Sequence, residues 1–409
     1  MTVIVGHTRF SLYAPGSTAW KASNNTKYAS EADYLSYLFG EQRLKPRTDI
    51  FLNLTLPILK NAARDVDYTH IVSFSEILPD PFKQRLKEFA SKNPFVLLDE
   101  HDANDNGINP LVFAARKIQP GQSFGLFRID DDDLLSVDYF DQISRYVKPE
   151  FIGMQVSLGS GFAGLWKNGQ VSNIGHYYQP MNSMGLLSIF GKDKAGSIVG
   201  PQLVSHPLSD RTNPVILKSD KPSFLQARHL EQDSEFSISQ NTEQKSARLL
   251  LDLAKLQKLS DMSVLESKFP GIGNYIPKWK KINEYVVPFT LTEPAQFKIS
   301  RPLSTIKLAF EMTCKEPVKH NALWSFELVA DNGTPIPAER EIPGLAFSNS
   351  NEIRHFRYVA TNEGQSKQEF SLEMPEGCYI KSVKLVKWAR TETTIKVHNV
   401  HLYTNDLIS

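Results

Sequence analysis

The sequence predicts a mixed α/β chain: a mostly parallel sheet flanked by helices, followed by a C-terminal antiparallel β-sandwich. Three observations carry this. Short apolar runs alternate with helical patterns through the first two thirds of the chain. From about Tyr285 the hydrophobic period changes to two. Within the first part, an apolar run through Phe124, Leu126, Phe127 and Ile129 opens directly into four consecutive aspartates, Asp130 to Asp133.

The 409 residues suggest two or three domains at ~100–200 residues each. The composition shift places a first domain at 1–265, a connector at 266–284 with Pro270, Gly271, Gly273 and Pro277, and the sandwich at 285–409. Lys+Arg 46 against Asp+Glu 45 leaves a net charge of +1, which argues against a large nucleic-acid surface. Cys314 and Cys378 make neither a disulfide framework nor a zinc site and read as buried thiols in a reducing compartment. The start, Met1 to His7, lacks the basic region and long apolar stretch of a signal peptide. No run reaches the ~20 apolar residues of a membrane span. Cytoplasmic residence is therefore expected, and peripheral membrane contact stays compatible with it.

Val3 to Val5 reads as the first buried strand, with Arg9 just past its end. Glu31 to Phe39 reads as a short helix. A longer one runs over Arg43 to Arg64, where Phe51, Leu54 and Ile58 share a face and Pro57 should kink it. Strands are expected at His70 to Phe74 and Phe95 to Leu98, with helices from Pro79 and over Leu111 to Lys117. This βαβα alternation implies parallel strands. After the acidic run, Val137, Phe140, Ile143 and Val147 stand at helical spacing. Phe151 to Ser157 reads as a strand, Leu158 to Gly164 as a flexible glycine-rich turn, and Val171 to Tyr178 as a hairpin partner. Phe224 to His229 brings a histidine to a strand end, and Ser246 to Leu259 is an amphipathic helix. Beyond, Ile306/Leu308/Phe310/Met312, Trp324/Phe326/Leu328 and Phe370/Leu372/Met374 alternate with other residues, as strands with one buried face do.

Four adjacent carboxylates repel one another and raise each other's pKa, so something must neutralise them. A hard divalent cation suits carboxylate oxygens and often brings phosphates with it. The competing reading is a solvated acidic cluster favoured by a helix N-terminus. Arg9, at a strand C-terminus, is a candidate anion contact.

Thr8-Arg9-Phe10-Ser11, Arg43 and Arg47 around a Leu-rich helix, Ser75-Glu76-Ile77-Leu78-Pro79 and Arg128-Ile129-Asp130-Asp131-Asp132-Asp133-Leu134 together resemble the bacterial putative rhamnosyltransferase family, glycosyltransferases of the GT-A type. The resemblance covers roughly the first 260 residues, where the helical pattern persists, and leaves the sandwich outside. It implies a nucleotide-sugar donor, a glycan acceptor and a DxD-type site for Mn²⁺ or Mg²⁺. A cation bridging the leaving diphosphate would stabilise its growing charge.

Two registers overlap, Asp130/Asp132 and Asp131/Asp133. Asp130 and Asp132 share a face if the strand continues and are the favoured pair. The expected metal shell is Asp130, Asp132, Asp133 and a late histidine, His229, with His206 as a weaker choice. Arg9, Arg116, Asp130 and Asp131 are expected on the donor. Asp132 is expected to act in catalysis, with Glu231 or Asp233 as general base if the reaction inverts. Trp324, Tyr358 and Trp388 offer either sugar-stacking faces or core. The alternatives are a non-catalytic glycan-binding or assembly protein with a degenerate transferase domain, and a metal-dependent phosphoester hydrolase.

Overall fold

The computed structural model describes residues 1–13, 30–102, 105, 107–230, 232, 242–259, 261–316, 320–338, 340–350, 352–360, 362–388 and 393–406. They form a mixed α/β structure with four sheets, in two compact units: Met1–Ile238 with Leu256–Ile276, and Ser239–Lys255 with Pro277–Ser409.

The first unit is built on β1 (Thr2–Arg9), β2 (Val66–Ser75), β3 (Val96–His101) and β4 (Ser123–Arg128). They run parallel in the order β4-β1-β2-β3. The linking helices are α1 (Glu31–Leu38), α2 (Glu41–Ile50), α3 (Leu56–Ala62), α4 (Asp80–Ser91) and α5 (Pro110–Arg116). Local chemistry starts them. Ser30 caps α1 by accepting from Asp33 N, and Asn109 caps α5 by accepting from Leu111 N and Val112 N, with Pro110 opening the helix. The expected bend before Pro57 takes a definite form. Phe51–Thr55 is a π-helical turn joining α2 to α3, placed where Pro57 supplies no N–H to the ladder. Phe51, Leu54 and Ile58 are buried as their spacing requires.

The chain continues through β5 (Asp133–Leu135), α6 (Tyr139–Ile143), β6 (Gln155–Leu158), β7 (Ser160–Lys167), β8 (Gln170–Tyr178), β9 (Leu187–Lys192), β10 (Ile198–Val199), α7 (Ser209–Thr212), β11 (Val215–Lys218) and β12 (Phe224–Arg228). β9 pairs antiparallel with β4 and β6, so the first sheet is parallel only in part. A second sheet has the order β13-β8-β7-β12-β5, with β13 at Gln257–Lys258. The glycine-rich stretch after Leu158 is not a flexible turn. It becomes strand β7, and its glycines allow close packing: a Cβ on Gly161 would stand 2.5 Å from the Phe224 carbonyl oxygen.

Among the described residues of the second unit, helix α8 (Thr242–Ala254) precedes ten strands. These are β14 (Lys280–Tyr285), β15 (Phe289–Thr290), β16 (Ala295–Phe297), β17 (Thr305–Lys315), β18 (Ala322–Val329), β19 (Ala346–Phe347), β20 (His355–Tyr358), β21 (Gly364–Glu373), β22 (Tyr379–Lys387) and β23 (Thr394–Thr404). They make two antiparallel sheets, β14-β23-β17-β21 with β15 on β23, and β16-β22-β18-β20-β19. One hydrophobic cluster draws Leu308 and Phe310 from the first sheet and Trp324 and Phe326 from the other. Among the described residues no helix is long and apolar enough to cross a membrane.

Candidate active site

β1, β2 and β4 end on the same edge of the parallel sheet, the edge where open α/β sheets bind ligands. β4 ends at Arg128, but the ladder runs one residue further, with Ile129 N donating to the His7 carbonyl at 3.2 Å. Thr8 then fixes the exit. Its hydroxyl donates to the Ile129 carbonyl at 2.8 Å. Having one proton, it must accept from His70 Nε2, 2.9 Å away. His70 Nδ1 is then the acceptor for the Tyr68 hydroxyl at 2.6 Å. Burial first, and His7 second, push the His70 pKa down to about 3, which keeps this chain neutral.

Beyond Ile129 the strand does not continue, which corrects the basis for favouring Asp130 with Asp132. Asp133 N donates to the Asp130 carbonyl at 3.3 Å, closing a turn, and β5 departs to pair with β12. The turn separates Asp130 from its neighbours and presents Asp131 and Asp132 together.

Their common partner is Arg47. Its guanidinium grips Asp131 through Nη1 and reaches Asp132 Oδ2 through Nη2 at 2.9 Å. All three residues are buried, at 6%, 2% and 4% exposure. Arg43, four residues earlier and thus on the same side of α2, donates to Ser11 Oγ at 2.8 Å, and Ser11 donates on to Asp131 Oδ2 at 3.4 Å. Asp132 Oδ2 also meets His229 Nε2 at 3.0 Å and Gln232 Nε2 at 3.4 Å. Burial alone would raise the Asp132 pKa. Arg47, followed by His229 and Gln232, outweighs it and holds the carboxyl below the usual range. For Asp133 the pull of Arg47 is outweighed. Burial, then Asp132 and Asp130, raise its pKa well above the ordinary value, and its Oδ1 is buried without a hydrogen-bond partner. Its backbone is held by Thr55 in the π-helical turn, whose hydroxyl donates to the Asp133 carbonyl at 2.8 Å.

Arg47 was assigned no role in the site from sequence. The available signal was two arginines four residues apart on a helix with buried Leu44 and Ile50. A buried guanidinium needs an acid, and the nearest acidic run in excess was Asp130 to Asp133.

Asp130 is about a third exposed at its side chain, with Arg128 Nη2 3.6 Å away. Burial, then Asp132 and Asp131, raise its pKa against the pull of Arg128, and the remaining solvent moderates this. Arg9 belongs to the same edge: burial and Arg128 lower its pKa to about 10, while Asp130 opposes them. Arg116 is elsewhere. It is exposed at the end of α5, which leads into the start of β4, whereas the acids follow the end of β4. His206 Nδ1 lies 2.7 Å from the Met181 carbonyl. Glu231 and Asp233 lie outside the described residues.

The donor set can be tested against a divalent cation. Neighbouring corners of an octahedron with ~2.1 Å bonds stand ~3.0 Å apart, and Asp132 Oδ2 and His229 Nε2 are 3.0 Å apart. Among the described residues no three His, Cys, Asp or Glu groups are gathered as a metal site. The carboxylate oxygen suits Mg²⁺ or Mn²⁺, which keep waters and take substrate phosphates for other positions, and an imidazole fits such a shell only as a minority ligand among oxygens. Asp132 Oδ2 also meets Arg47, His229 and Gln232, so a cation there would take the place of the His229 and Gln232 hydrogen bonds on that oxygen. The buried, unpartnered His229 Nδ1 leaves that ring without an outer hydrogen bond.

No curated protein matches the chain. Among solved structures, S. aureus TarS residues 1–349 in complex with UDP-GlcNAc is similar at 11% identity, covering 67% of this chain and 69% of that one, with a TM-score of 0.29. A further S. aureus TarS structure matches at 10% identity over 96% of this chain and 86% of that one, with a TM-score of 0.26. HddC from Yersinia pseudotuberculosis matches at 12% identity over 56% and 90%, with a TM-score of 0.21. At TM-scores this low these likenesses carry no argument. The sequence match is of another kind: the family model described as "Putative rhamnosyl transferase" matches residues 3–241, more than half of the chain and all of the acidic site. The chain belongs to the putative rhamnosyl transferase family and is a glycosyltransferase.

Proposed function

We propose that the first unit is a GT-A-type domain that moves a sugar from a nucleotide-sugar donor to a glycan acceptor in bacterial surface-polysaccharide synthesis. In this reading the second unit is a β-sandwich accessory domain. The observation that carries it is the Arg47-clamped turn with His229 at the C-terminal edge of the parallel sheet.

Asp132 and His229 would hold Mn²⁺ or Mg²⁺. When bound, that cation would supply Lewis-acid stabilisation for the departing diphosphate. Arg47 keeps Asp132 ionised and holds it in the turn. Asp131, tied between Arg47 and Ser11, acts in positioning the turn. Arg9 and Arg128 carry fixed positive charge where a diphosphate would lie, and guanidinium forks suit such oxygens. Asp130, the most exposed of the four acids and 3.6 Å from Arg128, would meet the donor's ribose or the cation's waters. Glu231 and Asp233 follow His229 closely and remain the base candidates for an inverting reaction.

The test is thermal melting of the full chain with UDP-, GDP- and dTDP-linked sugars, with and without Mn²⁺. A donor at 100 times its Kd should stabilise by about 2.7 kcal/mol, with Mn²⁺ required. Asp132→Asn should remove the rise and all turnover. A metal-independent rise, or full turnover in Asp132→Asn, would overturn the assignment.

A further inference from the structure

The second unit carries a cavity of about 230 Å³ that the transferase site does not use. Ser325, Glu327, Ser382 and Lys384 line it. Ser325 pairs with Lys384 and Glu327 with Ser382 across β18 and β22. Alternation puts these side chains on the face opposite Trp324 and Phe326, which enter the hydrophobic cluster shared with the other sheet.

One step along the same face, ~7 Å away by strand rise, the character changes. Leu323 is flanked by Val386 on one side and Tyr358 on the other. Leu323, Val386, Ile353 and Phe356 form a small apolar cluster of their own. Trp388 continues the β22 ladder, donating to the Asn321 carbonyl, and so shares the face of Val386. Trp388 and Tyr358 are 45% and 37% exposed, whereas Trp324 is fully buried. The structure thus separates the three aromatics: one is core and two are presented. Tyr358 is further stiffened by the His320 ring, stacked at 3.9 Å and 12°.

We propose that this sheet face binds a pyranose glycan, one sugar ring seated in the cavity and the adjoining rings on Tyr358 and Trp388. Sugar rings need two things at once: flat aromatic surface for their C–H faces, and donors and acceptors in comparable number for their hydroxyls. The strip offers both. Its polar end has the Lys384 ammonium, the Arg354 guanidinium, the Glu327 and Glu352 carboxylates and the serine hydroxyls in one pocket, with Ser382 donating to Glu327 at 2.9 Å and Lys381 paired with the same carboxylate. That mixture of signs does not suit a phosphate. The volume is below the ~300–1,000 Å³ of drug-sized sites, which suits a single ring better than a nucleotide.

The experiment probes the full chain on an immobilised array of bacterial, plant and animal oligosaccharides built from pyranose rings. Wild type should be retained by at least one pyranose class. Tyr358→Ala with Trp388→Ala, and separately Lys384→Ala, should each cut that signal at least tenfold at unchanged melting temperature. Turnover on a short soluble acceptor should be unaffected in all of them. Asp132→Asn, which disables the first unit's site, should bind the array as wild type does. No retained glycan, retention unchanged in the aromatic or Lys384 variants, or retention lost in Asp132→Asn would each overturn the proposal.

Discussion

Replacing Arg47 with alanine removes the single guanidinium that two buried carboxylates share. The structure sets the size of the effect. Asp131 and Asp132 are 2% and 4% exposed, so neither can recover hydration when the partner goes. Removing one member of a buried pair costs about 3–5 kcal/mol, because the charge left behind stays desolvated. For a unit of this size, at 2–4 °C per kcal/mol, that lowers Tm by about 6–20 °C. The pH dependence identifies the cause. In the wild type the Asp132 pKa is depressed in the folded state, so its contribution is present above the unfolded carboxylate pKa of ~3.9 and is lost as pH falls through the depressed folded value. In Arg47→Ala the depression loses its largest source, and Asp132 protonates more readily. The gap between wild type and variant should therefore be full at pH 7 and shrink as pH drops below about 4. Urea denaturation of both proteins across that range measures it. A gap under about 1 kcal/mol at pH 7, the value of a surface pair, or one that does not change with pH, would refute the reasoning.

Asp133→Asn should act in the opposite sense. The raised folded pKa of Asp133 makes ionisation a cost that appears as pH rises above ~3.9, so the amide should stabilise the fold at pH 7 and be neutral near pH 3, read by the same denaturation series. Gly161→Ala places a methyl against the Phe224 backbone carbonyl, which cannot move as a side-chain tip could. It should cost about 1–3 kcal/mol, whereas Gly169→Ala, with nothing within 4 Å of its Cβ but a φ of +72°, should cost about 1 kcal/mol through backbone strain alone. Calorimetry of the two variants separates crowding from strain.

Much of the fold was legible along the chain because periodicity is a local property. The buried face of the α2 to α3 helix followed from Phe51, Leu54 and Ile58, and strand β12 from the run ending at His229. The strand character of β7 was hidden, since its glycines signal a turn unless Phe224 and Val171 are known to press against them. Tyr358 and Trp388 could not be distinguished from Trp324 by spacing: all three sit in strand-like surroundings, and exposure depends on which sheet face finds a second layer.

The sequence by itself determined that four carboxylates follow an apolar strand and must be neutralised, because crowded like charge is costly wherever the chain folds. It also determined where helices give way to alternating strands. Only the tertiary structure decided how the neutralisation is done: by an arginine 84 residues away in sequence, with a histidine 97 away hydrogen-bonded to one of the acids. The physical reason is that a buried ion pair is specified by the packing of α2 against the sheet edge and by the turn that closes at Asp133, and neither register is written in any one stretch of residues.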